Sequence, residues 1–302
     1  LAEVRVRPLR SEPEGRTFLD APRIGRWLGW HALLVLAPWF WDLRAVILMA
    51  GLGAFTMGFG LTVGVHRGLI HRAFRTGRYT ERALVTIGAL CGLGGPLGLS
   101  RMHHRRDYYQ NQPACPPYFG YQSGFWAAMG YALFCRFEPA ADPGFLPVWP
   151  EVLGDRYFQW LERWELGLQL PLALLCYLAL GWPGVLWGVG ARMALTPDGF
   201  WFIHYVSHRH GAQPFEIVGA AEQGRNVGWL SVPSLGESWH NNHHAYPQSA
   251  RMGLTAAEVD PGYWLIILLR ALGLVRDVVT PPALALRERA RRRSSAGLSP
   301  GP

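Results

Sequence analysis

The sequence predicts an all-α membrane protein: four transmembrane helices in two hairpins, with a cytoplasmic helical cap that carries the histidines. Three observations predict it. Half of the 302 residues are apolar and only 17% are charged, where a soluble domain carries about a quarter. Mean hydropathy is barely positive, so long apolar runs must alternate with polar segments. The 11 histidines fall mostly in four places, each just beyond an apolar run.

Taken in order, residues 1–26 are polar and arginine-rich and read as a loosely ordered cytoplasmic arm, with no cleavable signal peptide. The membrane domain with its cap is expected over 27–280. Its first apolar run, 27–41, reaches a tight turn at Asp42 and Arg44, and 45–65 follows, about long enough to span a bilayer. Trp27, Trp30, Trp39 and Trp41 suit an interfacial aromatic belt. The glycine-rich run 82–99 is a doubtful span, read as a helix dipping into the interface or packed on the others. Residues 100–165 are mixed and belong to the cap. A second hairpin, 166–180 and 185–206, turns at Gly181-Trp182-Pro183-Gly184. Its second arm holds Arg192 and Asp198, which inside a span are functional or pairing residues. Residues 261–275 suggest an interfacial helix, and 281–302 a basic, disordered tail ending in SSAGLSPGP.

All 29 basic residues are arginine, against 21 acids. A net charge of +8 admits nucleic acid, anionic lipid or acidic ligands. The arginines flank apolar runs, so the lipid bilayer is the expected partner and nucleic acid is not. The two proposed outer turns hold a single arginine, Arg44. The positive-inside rule then places both termini and every histidine cluster on the cytoplasmic side, in an integral, multi-pass protein of a bacterial inner membrane. Cys91, Cys115, Cys135 and Cys176 form no Cys-x-x-Cys pair, which excludes iron–sulfur or rubredoxin spacing within the chain.

The first cluster is His66 and His71. A spacing of five turns an α-helix about 140° beyond one turn, so these rings flank a site or serve two different metals. The second is His103-His104. The third, His204 and His208, shares one helix face by its i, i+4 spacing. The fourth, His240, His243 and His244, stands at i, i+3 and i+4 on one face, where three imidazoles have little structural use without a metal. Imidazole suits iron, zinc, copper and nickel. One zinc takes four ligands at most, so this many histidines fits two ions with open positions. Glu237, Asp107, Glu222 and Asn241 are candidates for fixing the ring tautomers.

These residues resemble the membrane fatty-acid desaturases over roughly 30–275. His66 to Arg72, HRGLIHR, resembles the family's first histidine box, and GESWHNNHHAYPQSARMGL at 236–254 resembles the third. WFIHYVSHRHG at 201–211 resembles the helix carrying an additional ligand, with His208 in the ligand position. The second box departs: Ser100 stands where its first histidine belongs, and His204 replaces the family's asparagine. We expect His204 to compensate, directly or through water, as in a bacterial branch with an altered second box.

The resemblance implies metal ligation by His66, His71, His103, His104, His208, His240, His243 and His244, with His204 added. It implies two ferrous ions, O2 as co-substrate, and oxygen-dependent desaturation of a fatty acyl chain. Alternatives are a hydroxylase or ketolase of a lipid or isoprenoid on the same site, a catalytically inactive homologue, and a membrane zinc hydrolase. A tunnel between the spans would hold the chain; Phe55, Thr56, Phe59 and Thr62 could line it or pack against neighbouring helices. With no cytochrome b5 segment present, electrons are expected from a separate ferredoxin- or rubredoxin-like protein on the arginine-rich cytoplasmic face.

Overall fold

In a computed structural model of the chain, the described residues are 10–141, 148–281 and 283–293. The chain is mostly helical, and two helices are long and apolar enough to cross a membrane, Leu43–Ile70 and Gln169–Arg209.

Helix α1 (Ala21–Leu36) starts where Asp20 accepts a hydrogen bond from the Arg23 amide at 3.1 Å, with Pro22 in its first turn. It therefore begins earlier than its apolar run. A short 3₁₀ turn and Asp42, which caps α2 (Leu43–Ile70) through the Arg44 amide at 2.8 Å, reverse the chain.

The long helix α8 (Gln169–Arg209) is broken at Gly181, whose φ of 64° is open to glycine and strained for other residues. The chain folds back there, bringing Gly188 beside the Cys176 side chain. The two reversals meet at one end of the molecule, where the Trp187 indole donates to the Phe40 carbonyl at 3.1 Å. Val35, Ile47, Leu174 and Leu178 face outward, an apolar girdle that water would disfavour. The charges inside the second hairpin are paired. Arg192 is buried on Gln169 Oε1 and the Leu90 carbonyl, and Asp198 accepts from Trp27 and from His31.

The glycine-rich run yields α3 (Arg78–Ala89), packed on α2. A methyl group on Gly60 would lie 2.3 Å from the Gly88 nitrogen, so the two backbones meet only because both positions lack side chains. Helix α4 (Pro96–Gln110) is capped from outside its own segment: Glu162, on the cap helix α7 (Arg156–Trp164), which follows the short α6 (Pro150–Leu153), accepts from the Leu97 and Gly98 amides. Helix α5 (Phe125–Phe134) and a short apolar helix, α10 (Pro261–Ala271), capped by Asp260, complete the frame around the site.

The all-α expectation is corrected by three small antiparallel sheets. Strands β1 (Arg10–Glu12) and β2 (Gly15–Leu19) form a hairpin, and β2 pairs with β4 (Cys135–Pro139), Leu19 opposite Cys135. The arm expected to be loose is thus ordered from Arg10; residues 1–9 lie outside the described residues. Strand β3 (Arg75–Thr76) pairs with β6 (Val275–Arg276). Strand β5 (Phe215–Ile217) pairs with β7 (Ala290–Arg292), so the described part of the expected disordered tail is a clamp on the cap, and 294–302 lie outside the described residues.

Candidate metal centre

Two groups of imidazoles lie where α2, α4 and α8 enter the cap. His66, His71, His103 and His243 form one, His208, His240 and His244 the other; within each, one nitrogen per ring lies within 4.8 Å of the rest.

The first group depends on a change of helix type. Over Thr56–Ile70, α2 widens to π geometry, and the His71 amide donates to the His66 carbonyl at 3.1 Å. In such a ladder residues five apart sit nearly one above the other. The 140° separation expected of an α-helix therefore does not arise, and both rings face one site, centroids 4.8 Å apart. His103 reaches in from α4, its Nε2 3.1 Å from that of His66 and 3.2 Å from that of His71.

The short helix α9 (His240–Ala245) serves both groups. Successive residues differ by about 100° in direction, so His243 points to the first group and His244 to the second. His240 joins His244, Nε2 to Nε2 3.1 Å. The three imidazoles expected on one helix face are thus divided between the two groups.

These distances fit shared ions. Two imidazole nitrogens at about 2.1 Å from one ion and about 90–110° apart lie roughly 3.0–3.4 Å from each other. Tautomers fit as well. His208 donates from Nδ1 to the His204 carbonyl at 2.8 Å, which leaves its buried Nε2 as a lone pair with no partner. His66 Nδ1 is 2.7 Å from Glu237 Oε2, freeing Nε2 for the site. Burial holds His71, His103, His240 and His243 well below the usual imidazole range, reinforced by charge repulsion from their neighbours, and takes His244 down to about 4. Neutral rings are the form that binds metal.

The supporting carboxylates are only partly those expected. Burial pushes Glu237 up, but His66 and Arg67 more than offset this and hold it ionised. Burial likewise opposes Asp107, and its ion pair with Arg287 on the C-terminal segment outweighs it. Glu222 instead accepts from the Tyr121 amide and Gln122, and Asn241 bonds Phe215 and Gly224 backbone; neither meets a ring. Ser100 is buried and donates to the Pro96 carbonyl at 2.7 Å, inside its own helix. His104 and His204 stand outside both groups. His104 lies edge-on to Trp149; His204 donates from Nδ1 to the Phe200 carbonyl at 2.8 Å, with its ring 5.5 Å from that of His240.

Two residues were not foreseen. Arg67 is buried and binds Asp260 at 2.9 Å, Glu237 at 3.4 Å and the Ala250 carbonyl at 2.9 Å, tying α2 to the segments on both sides of α9. A charge at the end of an apolar span was its signal. Tyr121 stacks on His208 at 4.4 Å, a contact with no local sequence mark.

A slot of about 420 Å³ adjoins the site between α1, α4 and α8. Tyr121 and Phe200, the latter packed on His204, form its wall beside the histidines. The residues expected to line a tunnel do not line this slot. Phe55 is half-exposed against Phe59, Thr56 bonds the Leu52 carbonyl, Phe59 packs into the core beside the helix Pro261–Ala271, and Thr62 is buried elsewhere.

Comparison with known proteins adds a history to this geometry. Residues 39–257 match the fatty acid desaturase family. An sn-2 palmitoyl-lipid 9-desaturase of Nostoc sp. is 34% identical over 269 residues, 87% of this chain and 93% of that protein. An sn-1 stearoyl-lipid 9-desaturase of Synechocystis sp. is 32% identical, covering 86% and 79% of the two chains. A hex-5-enoyl-[acyl-carrier protein] acetylenase of Moorena producens is 32% identical, covering 81% and 80%.

Proposed function

The chain belongs to the fatty acid desaturase family, and from that premise we propose that it removes two hydrogens from a fatty acyl chain, with O2 as co-substrate, at a pair of ferrous ions. The observation that carries this reading is the gathering of seven imidazoles from four stretches of chain into adjacent groups of four and three. The four-ring group takes one ion and the three-ring group the other. His204, 5.5 Å from His240 between ring centroids, is the further donor to the poorer group, directly or through water; His104 stands at the edge of the richer one. Bound there, iron supplies oxygen activation and abstraction of hydrogen from an unactivated carbon.

The protein's own part is orientation and exclusion. Glu237, ionised and hydrogen-bonded to His66, fixes that ring's tautomer, as the His204 carbonyl does for His208. The slot holds the acyl chain with one carbon pair at the histidines, and its aromatic wall keeps water from the reacting carbons. The two hairpins cross the bilayer four times, as the break at Gly181 and the meeting of both reversals at one end support. The histidines then face the cytoplasm. Electrons arrive from a separate ferredoxin- or rubredoxin-like protein, drawn to a face where Arg209, Arg276 and Arg291 to Arg293 are exposed.

Expression in a host with a simple lipid profile, with fatty-acid mass spectrometry, tests the reaction. Loss of two mass units is expected; a gain of sixteen would make the protein a hydroxylase instead.

A further inference from the structure

The slot beside the histidines is two-sided in its chemistry. On α4, Leu99, Met102 and Arg106 recur at helical spacing and line it; on α8, Met193, Phe200 and Trp201 do the same. Apolar side chains fill the part between these helices, and the α4 stripe ends in the Arg106 guanidinium; Arg23, Arg26, Glu162 and Glu165 also line the slot, Arg23 donating to the Ala132 and Cys135 carbonyls.

Arg106 is partly buried and its Nε is buried with no hydrogen-bond partner. Among the described residues no carboxylate lies within 4.0 Å of it. Three of the neighbouring acids are committed elsewhere: Glu162 caps α4, Glu222 holds Tyr121 and Gln122, and Asp107 pairs with Arg287. Glu165 turns one oxygen to Arg26 at 3.6 Å and keeps the other buried without a hydrogen bond. A second donor on the same slot is also unused: the Trp201 indole N–H, on a side chain 94% buried by its 6% exposure, finds no acceptor. Buried donors without partners are rare, and the Arg106 Nε and the Trp201 indole N–H are two of them on one slot.

We propose that Arg106 is the anion-binding residue of this slot. It takes the charged oxygens of an amphiphile, a carboxylate or a phosphate, whose aliphatic chain lies along Met102, Leu99 and Met193. Trp201 donates to an oxygen carried by the same molecule. A planar guanidinium suits either anion through paired N–H donors. The inference rests on the reading of the slot as the acyl-chain site, and it adds the chemical character of the chain's polar end.

The test is binding, independent of turnover. The purified full chain in neutral detergent displaces a fluorescent alkyl probe with three ligands of equal length: palmitate, hexadecyl phosphate and 1-hexadecanol. At least one anion should bind about ten-fold or more tighter than the alcohol, as a charge-assisted hydrogen bond implies; which anion does so separates the two sources. In Arg106→Gln the preference should fall to within about two-fold. Arg106→Lys should restore much of it and shows that the fold survives a change at this position. Arg105→Gln, off the slot, should leave it intact. Equal affinity of alcohol and anions in the native protein, or an anion preference unchanged in Arg106→Gln, overturns the proposal. Anion preference lost with Arg106 in a protein that never desaturates would sink the proposed reaction and leave this inference standing.

Discussion

The two histidine groups are built by different means. The four-ring group is oriented by charge: His66 leans on Glu237, Glu237 on Arg67, and Arg67 on Asp260, all buried or nearly so. The three-ring group is oriented by backbone and packing, through the His204 carbonyl on His208 and the Tyr121 ring stacked over it. A charged network is unforgiving, because removing one member leaves another ionised and unpaired in a dry interior. A backbone carbonyl and a stacked ring degrade gradually. Loss of support should therefore be severe on one side of the site and mild on the other.

The largest expected effect separates the groups outright. His243→Ala should lose the ion of the four-ring group, and His240→Ala that of the three-ring group. Either abolishes desaturation while the other ion stays countable by metal analysis. Next, Arg67→Met should destabilise the protein by about 3–5 kcal/mol in thermal unfolding, since Asp260 and Glu237 lose their shared counter-charge. Glu237→Gln keeps the size of that side chain and should weaken metal binding at the four-ring group about 10–100-fold, with little change at the other. Tyr121→Leu should cost about 1 kcal/mol and less than ten-fold in metal affinity at the three-ring group. Equal losses in the last two variants would erase the contrast.

Acid sharpens the comparison less. In the metal-free protein the buried rings have pKa values below that of a free imidazole, so the unfolded chain binds more protons once the pH falls below about 6.5. Stability present above that pH is lost as it falls toward about 4, the value for His244. Denaturant titrations of chelated protein across this window should show a falling midpoint.

Much of the frame was legible in the sequence because it is written locally. The apolar runs, the Gly181 turn and the clustered histidines each announce themselves within a few residues. What was not legible depends on partners far along the chain. The π geometry of Thr56–Ile70 cannot be read from a five-residue histidine spacing, and it is what places His66 and His71 together. Strands β2 and β7 are short, and β4 and β5, on which they pair, are distant in sequence. The separation of His243 from His244 follows from where α2 and α8 stand, which neighbouring residues do not specify.

Metal analysis of the purified chain, reconstituted anaerobically with ferrous iron and compared with His243→Ala and His240→Ala, tests the central claim most directly. Two irons per chain are expected in the native protein and one in each variant. A native protein that saturates at a single ion would contradict the division of these imidazoles into two sites.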